Sequence, residues 1–210
     1  MNLATRLTFI RIGMVPFFII FLYIDNVYTR ICALLTFIIA GITDLYDGAI
    51  ARRTNTITTL GTFLDPLADK LMISAAFILF IELPEIAVPA WMVILIISRE
   101  FIITGLRSVA ASKGKILAAD KHGKFKTSSQ VTAIITILVI LICNAVLSHF
   151  WDIDVYQWIY ALDYKRYIAL VLIRTPFWIM LIVTMLTIIS GSSYLINHWD
   201  LISERRKKPR

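Results

Sequence analysis

The sequence predicts an all-α integral membrane protein, a bundle of six transmembrane helices with both termini in the cytoplasm. Apolar residues make up 59% of its 210 residues, whereas soluble proteins contain roughly 45–50%. They fall into six long runs, and about 20 helical residues are needed to cross the hydrocarbon core of a membrane. The runs lack the alternation of membrane β-barrels, so helices are expected to satisfy the backbone polar groups in lipid.

Short polar segments separate the six predicted helices, which makes consecutive helices antiparallel. The helices cover Leu7–Ile24, Thr29–Arg52, Gly61–Ile81, Ile86–Ala111, Thr127–His149 and Tyr167–His198. The stretch Trp151–Lys165 mixes aromatic residues with aspartates, a composition typical of the membrane–water interface. Since no repeat or flexible linker divides the chain, residues 1–210 are expected to form one membrane domain.

The distribution of lysine and arginine predicts the orientation, because positively charged loops stay in the cytoplasm. One set of helix ends, together with the C-terminal tail, carries Arg6, Arg11, Arg52, Arg53, Arg107, Lys113, Lys115, Lys121, Lys124, Lys126, Arg205, Arg206, Lys207, Lys208 and Arg210. The opposite ends carry Arg30, Lys165, Arg166 and Arg174. The expected location is therefore the inner (cytoplasmic) membrane. The net charge of +7 is attributed to this bias and to attraction to anionic membrane lipids, and no nucleic-acid partner is predicted.

The two cysteines are expected to be packing residues. Cys32 and Cys143 stand singly within apolar runs, and a free cysteine there usually behaves as a small buried hydrophobe. We therefore predict that both pack inside the bundle, with neither a disulfide framework nor a thiol nucleophile.

Two pairs of aspartates stand where the second predicted helix ends and the third begins. Asp44 and Asp47 share one helix face, as do Asp65 and Asp69, because a helix has 3.6 residues per turn. A charge at membrane depth costs roughly 2.5–3.5 kcal/mol on insertion scales and is retained mostly for function. Converging carboxylates repel unless cations lie among them, and Mg²⁺ or a similar hard cation prefers oxygen ligands. The pattern predicts two divalent cations, an arrangement suited to phosphoryl displacement on a phosphate-bearing substrate.

Small and cationic residues follow the first aspartate pair. Gly48 and Ala51 lie on or near the same helix face, where missing side chains leave room for a ligand, and Arg52 has the geometry to bind phosphate. Each residue also has a structural interpretation. Small residues allow close helix packing, and arginine at a helix end acts as a positive-inside anchor.

Taken together, these residues resemble a family signature. The string Asp44-x2-Asp47-Gly48-x2-Ala51-Arg52-x8-Gly61-x3-Asp65-x3-Asp69 matches the signature of the CDP-alcohol phosphotransferase family at every fixed position. The resemblance implies a six-helix membrane enzyme, usually a homodimer, that transfers a phosphatidyl or related group from a CDP-linked donor to an alcohol and releases CMP. It also implies roles for individual residues: metal ligands at Asp44, Asp47, Asp65 and Asp69, the general base at Asp69, and donor binding at Gly48, Ala51, Arg52, Thr58 and Gly61.

The N-terminal stretch from Asn2 to Arg11 resembles the beginning of the family's first helix. There the family pattern Asn-x-Pro-Thr-x-Leu-Thr-x-x-Arg is matched except that Ala4 replaces the proline. The resemblance implies that the CDP-diacylglycerol donor is lined by Leu7, Thr8, Phe9 and Ile10.

The fourth helix and the segment after it resemble the branch of the family that makes phosphatidylglycerophosphate. The resemblance rests on Ser98-Arg99-Glu100, Leu106-Arg107 and Gly123-Lys124-x-Lys126-Thr127-x2-Gln130. It implies glycerol 3-phosphate as the acceptor, its phosphate bound by Arg99, Arg107, Lys124 and Lys126, with weaker contacts from Thr127 and Gln130. Membrane-surface attraction is the competing interpretation of the lysines. Arg99 lies within an apolar run and is expected to have a buried acidic or phosphate partner, with Glu100 pointing elsewhere.

Two alternatives remain open at this stage. Within the family, the acceptor is also compatible with inositol phosphate, inositol, serine or phosphatidylglycerol. From a different class, a divalent-cation transporter would also place carboxylates inside a helix bundle. A transporter needs acids along its path, whereas these acids cluster at one end, so the enzyme is favoured.

Overall fold

The computed structural model describes the chain over most of its length. Described are residues 3–54, 59–112, 121–151, 153, 155, 157–160 and 163–197. Within these ranges, side chains are described except at residues 3–5, 45–54, 59–66, 69, 112 and 121–125.

The described residues form six long α-helices, one short 3₁₀ helix and their connections. The helices are α1 (Leu3–Tyr23), α2 (Val27–Thr54), α3 (Thr59–Glu82), α4 (Ala90–Ser112), α5 (Lys121–Trp151) and α6 (Tyr164–Asn197). The 3₁₀ helix, Gln157–Tyr160, lies within the predicted interfacial stretch and packs against α6. The six predicted helices are therefore all present. The largest difference is at α5, which begins six residues before its predicted start because Lys121–Lys126 continue the helix.

Four of the six helices are long and apolar enough to cross a membrane. The candidate spans are Arg6–Tyr23, Val27–Asp44, Lys126–Trp151 and Tyr164–Asn197. The other two helices, α3 and α4, interrupt their apolar sequences with Asp65, Asp69, Lys70 and Glu82, and with Arg99, Glu100 and Arg107, respectively. Ionisable residues are expensive in lipid, so these two helices are the ones to examine for function.

A single apolar core receives side chains from all six helices. Aromatic rings come from α1, α2 and α3, with Phe18 against Phe37 and Phe77 against Phe80. Branched and sulfur-containing side chains come from α4, α5 and α6. Fully or almost fully buried members include Phe18, Phe37, Phe77, Phe80, Met92, Ile96, Ile134, Ile137, Leu138 and Met180. Buried alanines at positions 33, 40 and 76 let the helix backbones approach closely, as is usual between membrane helices.

Helices that follow one another in the chain are not always the ones that pack most closely. Among the described residues, α1 packs extensively on both α2 and α3, whereas α2 and α3 touch each other only slightly. On the other side, α6 packs against α4 and α5, and α5 also contacts α2. The helix that begins the chain thus connects the two helices carrying the aspartate pairs.

The prediction that both cysteines pack inside the bundle is wrong. Cys32 on α2 and Cys143 on α5 are free and exposed on the outer surface of the bundle. The core at these levels is filled by neighbours on the inward helix faces, Ala33 and Leu141 among them. An apolar run in a membrane helix is apolar on every face, so the sequence alone does not distinguish inward from lipid-facing positions.

A buried arginine ties the bundle together at the end formed by the α1–α2 and α3–α4 connections. The Arg30 side chain is only 4% exposed. Its Nη1 donates to the carbonyl oxygen of Leu141 at 2.8 Å, and its Nη2 donates to Asp25 Oδ1 at 2.7 Å and also to Glu85 Oε1. One guanidinium group therefore connects α2 to α5 and to both helix connections.

We predict that Arg30→Ala destabilises the protein by about 3 kcal/mol or more. The substitution leaves the carboxylate of Glu85 and the carbonyl of Leu141 without their cation inside the bundle, and breaking a buried pair is costly. Thermal unfolding of the purified protein in detergent measures the effect. Arg166→Ala is the control, because Arg166 is exposed at the start of α6. Equal melting temperatures for the two variants would contradict the assigned role.

Candidate active site

The helices give both aspartate pairs the register that places each pair on one face. Asp44 and Asp47 lie three residues apart within α2, and Asp65 and Asp69 lie four apart within α3. Thr58 lies outside the described residues. At eight further predicted site residues the helix is described but the side chain is not: Asp47, Gly48, Ala51, Arg52, Gly61, Asp65, Asp69 and Lys124. The described geometry therefore concerns Asp44, the start of α1 and the α4–α6 surface.

Asp44 forms an ion pair with an arginine of α1. Arg11 Nη1 lies 2.6 Å from Asp44 Oδ1, and the side chains are 3% and 41% exposed, respectively. A guanidinium buried to this degree requires a counter-charge, which Asp44 supplies. The pair brings the beginning of the first helix directly to the first aspartate of the predicted metal site.

The predicted donor residues of α1 face in different directions. Thr8 is fully buried, one turn before Arg11, and Leu7 is partly buried. Phe9 and Ile10 are exposed, by 44% and 56%. Only the inner face of this turn, through Thr8 and Leu7, is thus turned toward the interior beside Asp44.

A groove of about 470 Å³ begins at the Arg11–Asp44 pair and continues along the bundle. Its polar rim also includes Thr127 and Ser128 at the start of α5. Its walls are mainly apolar and come from α2, α3 and α5: Phe37, Ile38, Ala40, Gly41, Ile42, Met72, Ile73, Val131, Thr132 and Ile135. A groove with one charged end and a long apolar wall suits an amphiphile such as a phospholipid.

Glu100 is the centre of a polar cluster between α3, α4 and α5. Its Oε1 accepts from Nζ of Lys126, which is 4% exposed, and from Gln130 Nε2 at 3.3 Å. Its backbone carbonyl oxygen lies 3.5 Å from Nζ of Lys70, which also donates to Thr104 Oγ1. Lys126 is therefore a buried, paired side chain of α5 and not a solvated loop lysine.

Arg99 and Arg107 of α4 both reach α6. Arg99 Nη2 donates to Ser190 Oγ at 2.9 Å, and Arg107 Nε donates to the Tyr194 hydroxyl at 3.3 Å. Contrary to the expectation that Glu100 points elsewhere, its Oε1 also lies 3.8 Å from Arg99 Nη1. Three of the predicted acceptor ligands, Arg99, Lys126 and Gln130, therefore converge on this one carboxylate.

Sequence reasoning missed several residues of this site. Arg11 enters the sequence analysis through the charge bias and as the last position of the family's N-terminal pattern, without a predicted partner, and Glu100 has no predicted role in binding. For both, the usable signal was an ionisable residue inside an apolar run. Ser190 and Tyr194 carried no such signal, because hydroxyl side chains are common in membrane helices.

The assignment of the four aspartates as metal ligands stays a prediction. Among the side chains that are described, no three histidine, cysteine, aspartate or glutamate residues form a metal-binding group. Asp44 is the member of the predicted set whose side chain is described, and it is paired with Arg11. The four predicted ligands are all carboxylates, a donor set that fits a hard divalent cation.

Comparison with known proteins identifies the family. The model of the CDP-alcohol phosphatidyltransferase family matches residues 1–189, so the chain belongs to this family. The resemblance inferred from the aspartate signature is thereby confirmed.

Curated relatives indicate the branch within the family. A Bacillus subtilis protein named CDP-diacylglycerol–glycerol-3-phosphate 3-phosphatidyltransferase is 43% identical over 150 residues, which cover 66% of this chain and 77% of the relative. A protein of the same name from Escherichia coli K12 is 38% identical over 143 residues, covering 65% and 76%. One from Sodalis glossinidius is 38% identical over 144 residues, covering 66% and 77%.

We predict that Glu100→Ala lowers the free energy of unfolding by about 3 kcal/mol, because the buried ammonium of Lys126 loses its counter-charge. The loss should be smaller when Lys126→Met is already present. Thermal unfolding of the two single variants and the double variant measures the coupling. Strictly additive losses would show that the pair does not stabilise the bundle. Asp163→Asn, which removes an exposed carboxylate and keeps a residue suited to the start of α6, serves as the control.

Proposed function

We propose that the protein transfers the phosphatidyl group of CDP-diacylglycerol to glycerol 3-phosphate, giving phosphatidylglycerophosphate and CMP. The principal support is that relatives 37–43% identical carry the name of this transferase. The geometry agrees, since the charged rim of an apolar groove and two arginines of α4 lie at the end of the bundle where α2 finishes.

The proposed arrangement in the membrane has six spans, with both termini and the aspartates on the cytoplasmic side of the inner membrane. The asymmetry of lysine and arginine supports this orientation. Lys70 on α3 and Glu100 on α4 are tolerated because each has a partner inside the bundle. A homodimer is proposed from the family resemblance alone.

The groove is proposed to hold the lipid donor. Its apolar wall suits an acyl chain, which would enter sideways from the inner leaflet. Its rim at Arg11 and Asp44 would place the pyrophosphate at the membrane surface. Thr8, buried beside this rim, belongs to the same part of the donor site. Lipid substrates need such a lateral path because their tails do not leave the bilayer.

The four aspartates would hold divalent cations, Mg²⁺ or Mn²⁺, which supply charge neutralisation to the pyrophosphate when bound. The side chains of the protein then have two tasks. Arg99 and Arg107 bind the acceptor phosphate, and the carboxylate of Asp69 accepts the proton of the primary hydroxyl of glycerol 3-phosphate. The hydroxyl oxygen forms a bond to the lipid-bearing phosphorus as the bond to CMP breaks, and CMP leaves with that electron pair.

An acceptor panel tests the proposal directly. Purified protein in detergent is incubated with CDP-diacylglycerol, Mg²⁺ and, in parallel, glycerol 3-phosphate, inositol phosphate, inositol or serine, while CMP and lipid product are measured. We expect CMP release with glycerol 3-phosphate and with no other acceptor of the panel, and no release after chelation of the metal. Selective release with another acceptor would overturn the acceptor assignment. No CMP from folded protein would overturn the reaction and direct attention to metal flux in liposomes.

We predict that Asp69→Asn reduces turnover at least about 100-fold, the usual contribution of a general base. The variant should keep its melting temperature within a few degrees, because the amide is nearly the same size. CMP release under saturating substrates measures the effect, and Asp163→Asn provides a control at an exposed aspartate. Turnover close to that of the unsubstituted protein would rule out Asp69 as the base.

We predict that Arg107→Ala raises the KM for glycerol 3-phosphate about tenfold or more, the loss expected for a hydrogen bond to a charged group. The KM for CDP-diacylglycerol should change little. Initial rates with each substrate varied in turn separate the two constants. The exposed Arg166, replaced by alanine, controls for loss of a positive charge. An unchanged acceptor KM would remove Arg107 from the site.

A further inference from the structure

Three residues near the end of α6 form the surface against which the two α4 arginines lie. We call Ser190, Gly191 and Tyr194 the α6 platform. Ser190 and Tyr194 are four residues apart and therefore share a helix face. All three follow residue 189, the last residue matched by the family model.

Gly191 makes room for the side chain of Arg99. A Cβ atom at position 191 would lie 2.7 Å from Cγ and 3.1 Å from Nε of Arg99. Contacts that short do not occur, so any larger residue would displace the arginine. The neighbouring Ser190 Oγ accepts from Nη2 of Arg99 at 2.9 Å and fixes the far end of the same side chain.

Tyr194 holds Arg107 in two ways. Its hydroxyl accepts from Nε at 3.3 Å, and its ring lies beneath the guanidinium, with Cζ 5.4 Å from the ring centroid. Tyr194 itself is only 4% exposed, so it is a rigid support. The hydroxyl and the ring are uncharged, which orients the guanidinium without neutralising its charge.

We propose that the α6 platform positions Arg99 and Arg107 for the acceptor phosphate and thereby sets the affinity for a phosphorylated acceptor over a neutral alcohol. This inference rests on the proposed function, in which these arginines bind glycerol 3-phosphate. Arg107 is oriented by the neutral Tyr194 and Arg99 by the neutral Ser190, while the Glu100 carboxylate, 3.8 Å from Arg99 Nη1, is shared with Lys126. The two guanidinium groups therefore keep attraction for a phosphate dianion. The platform residues are positioning residues, since they act through the arginines.

Gly191→Ala is the sharpest test. We expect the KM for glycerol 3-phosphate to rise about tenfold or more, while kcat and the KM for CDP-diacylglycerol stay within about twofold, as loss of acceptor binding alone requires. Gly105→Ala is the matched control, because a Cβ at this α4 position meets nothing within 4 Å. Melting temperatures of both variants are measured alongside.

Serine variants supply a second, independent comparison. Ser190→Ala removes the hydrogen bond to Arg99, whereas Ser192→Ala removes contacts within its own helix, from Oγ to the carbonyls of Ile188 at 2.9 Å and Ile189 at 3.1 Å. We expect a raised acceptor KM for the first variant and no change for the second. If Gly191→Ala fails to fold, this serine pair decides the question.

A double-variant cycle shows whether the platform acts through Arg99. In an Arg99→Ala background, Gly191→Ala should have no further effect on the acceptor KM. If Gly191→Ala raises the acceptor KM equally in both backgrounds, the proposal is wrong. It is also wrong if Arg99→Ala raises the acceptor KM while Gly191→Ala and Ser190→Ala behave like their controls. If Arg99→Ala and Arg107→Ala both leave the KM unchanged, the acceptor assignment in the proposed function is wrong instead.

Discussion

A cationic side chain inside an apolar helix bundle must find a partner, and the rest of this structure depends on how that requirement is met. Arg11 forms an ion pair with Asp44, Lys126 with Glu100, and Arg30 with both Asp25 and Glu85. Apolar packing between membrane helices has little directional preference, since lipid tails are as apolar as leucine. Each ion pair, by contrast, holds two segments of the chain, two helices or a helix and a connection, in one relative position. The charged pairs therefore specify which helices are neighbours, while the aromatic core supplies the packing.

The positions of these pairs separate two functions within one bundle. The Arg30 cluster lies at the α1–α2 and α3–α4 connections, where the guanidinium donates to one backbone carbonyl and to two carboxylates of the protein. At the other end, Arg107 donates to the uncharged Tyr194 of α6, and Arg99 donates to Ser190 and lies 3.8 Å from the Glu100 carboxylate. The first arrangement connects segments of the bundle, whereas the second orients the guanidinium groups to which the acceptor phosphate is proposed to bind. The same residue type thus supports the fold at one end and chemistry at the other.

The sequence predicted the six helices because each is a long apolar run with polar ends, and helix boundaries followed within a few residues. The family followed from the resemblance of the aspartate string to a known signature, which the match of the family model confirms. It did not predict the exposure of Cys32 and Cys143, since membrane helices are apolar on lipid-facing and inward-facing sides alike. Nor did it predict that Glu100 collects Lys126, Gln130 and Arg99, because contacts between α4 and α5 depend on how the helices rotate about their axes. The α6 platform was not predicted either. Gly191 matters because its lack of a side chain leaves space for Arg99, and a glycine in the sequence does not show which side chain occupies that space.

The outward-facing cysteines have a consequence for the chemistry of the protein in its native setting. Both thiols lie on membrane helices, on the side turned away from the core. While lipid covers Cys32 and Cys143, charged alkylating reagents dissolved in water do not reach either sulfur atom, because ions are excluded from hydrocarbon. Extraction into a short-chain detergent opens these positions to such reagents. The extent of alkylation at Cys32 and Cys143 therefore reports how completely lipid or detergent covers the two helices.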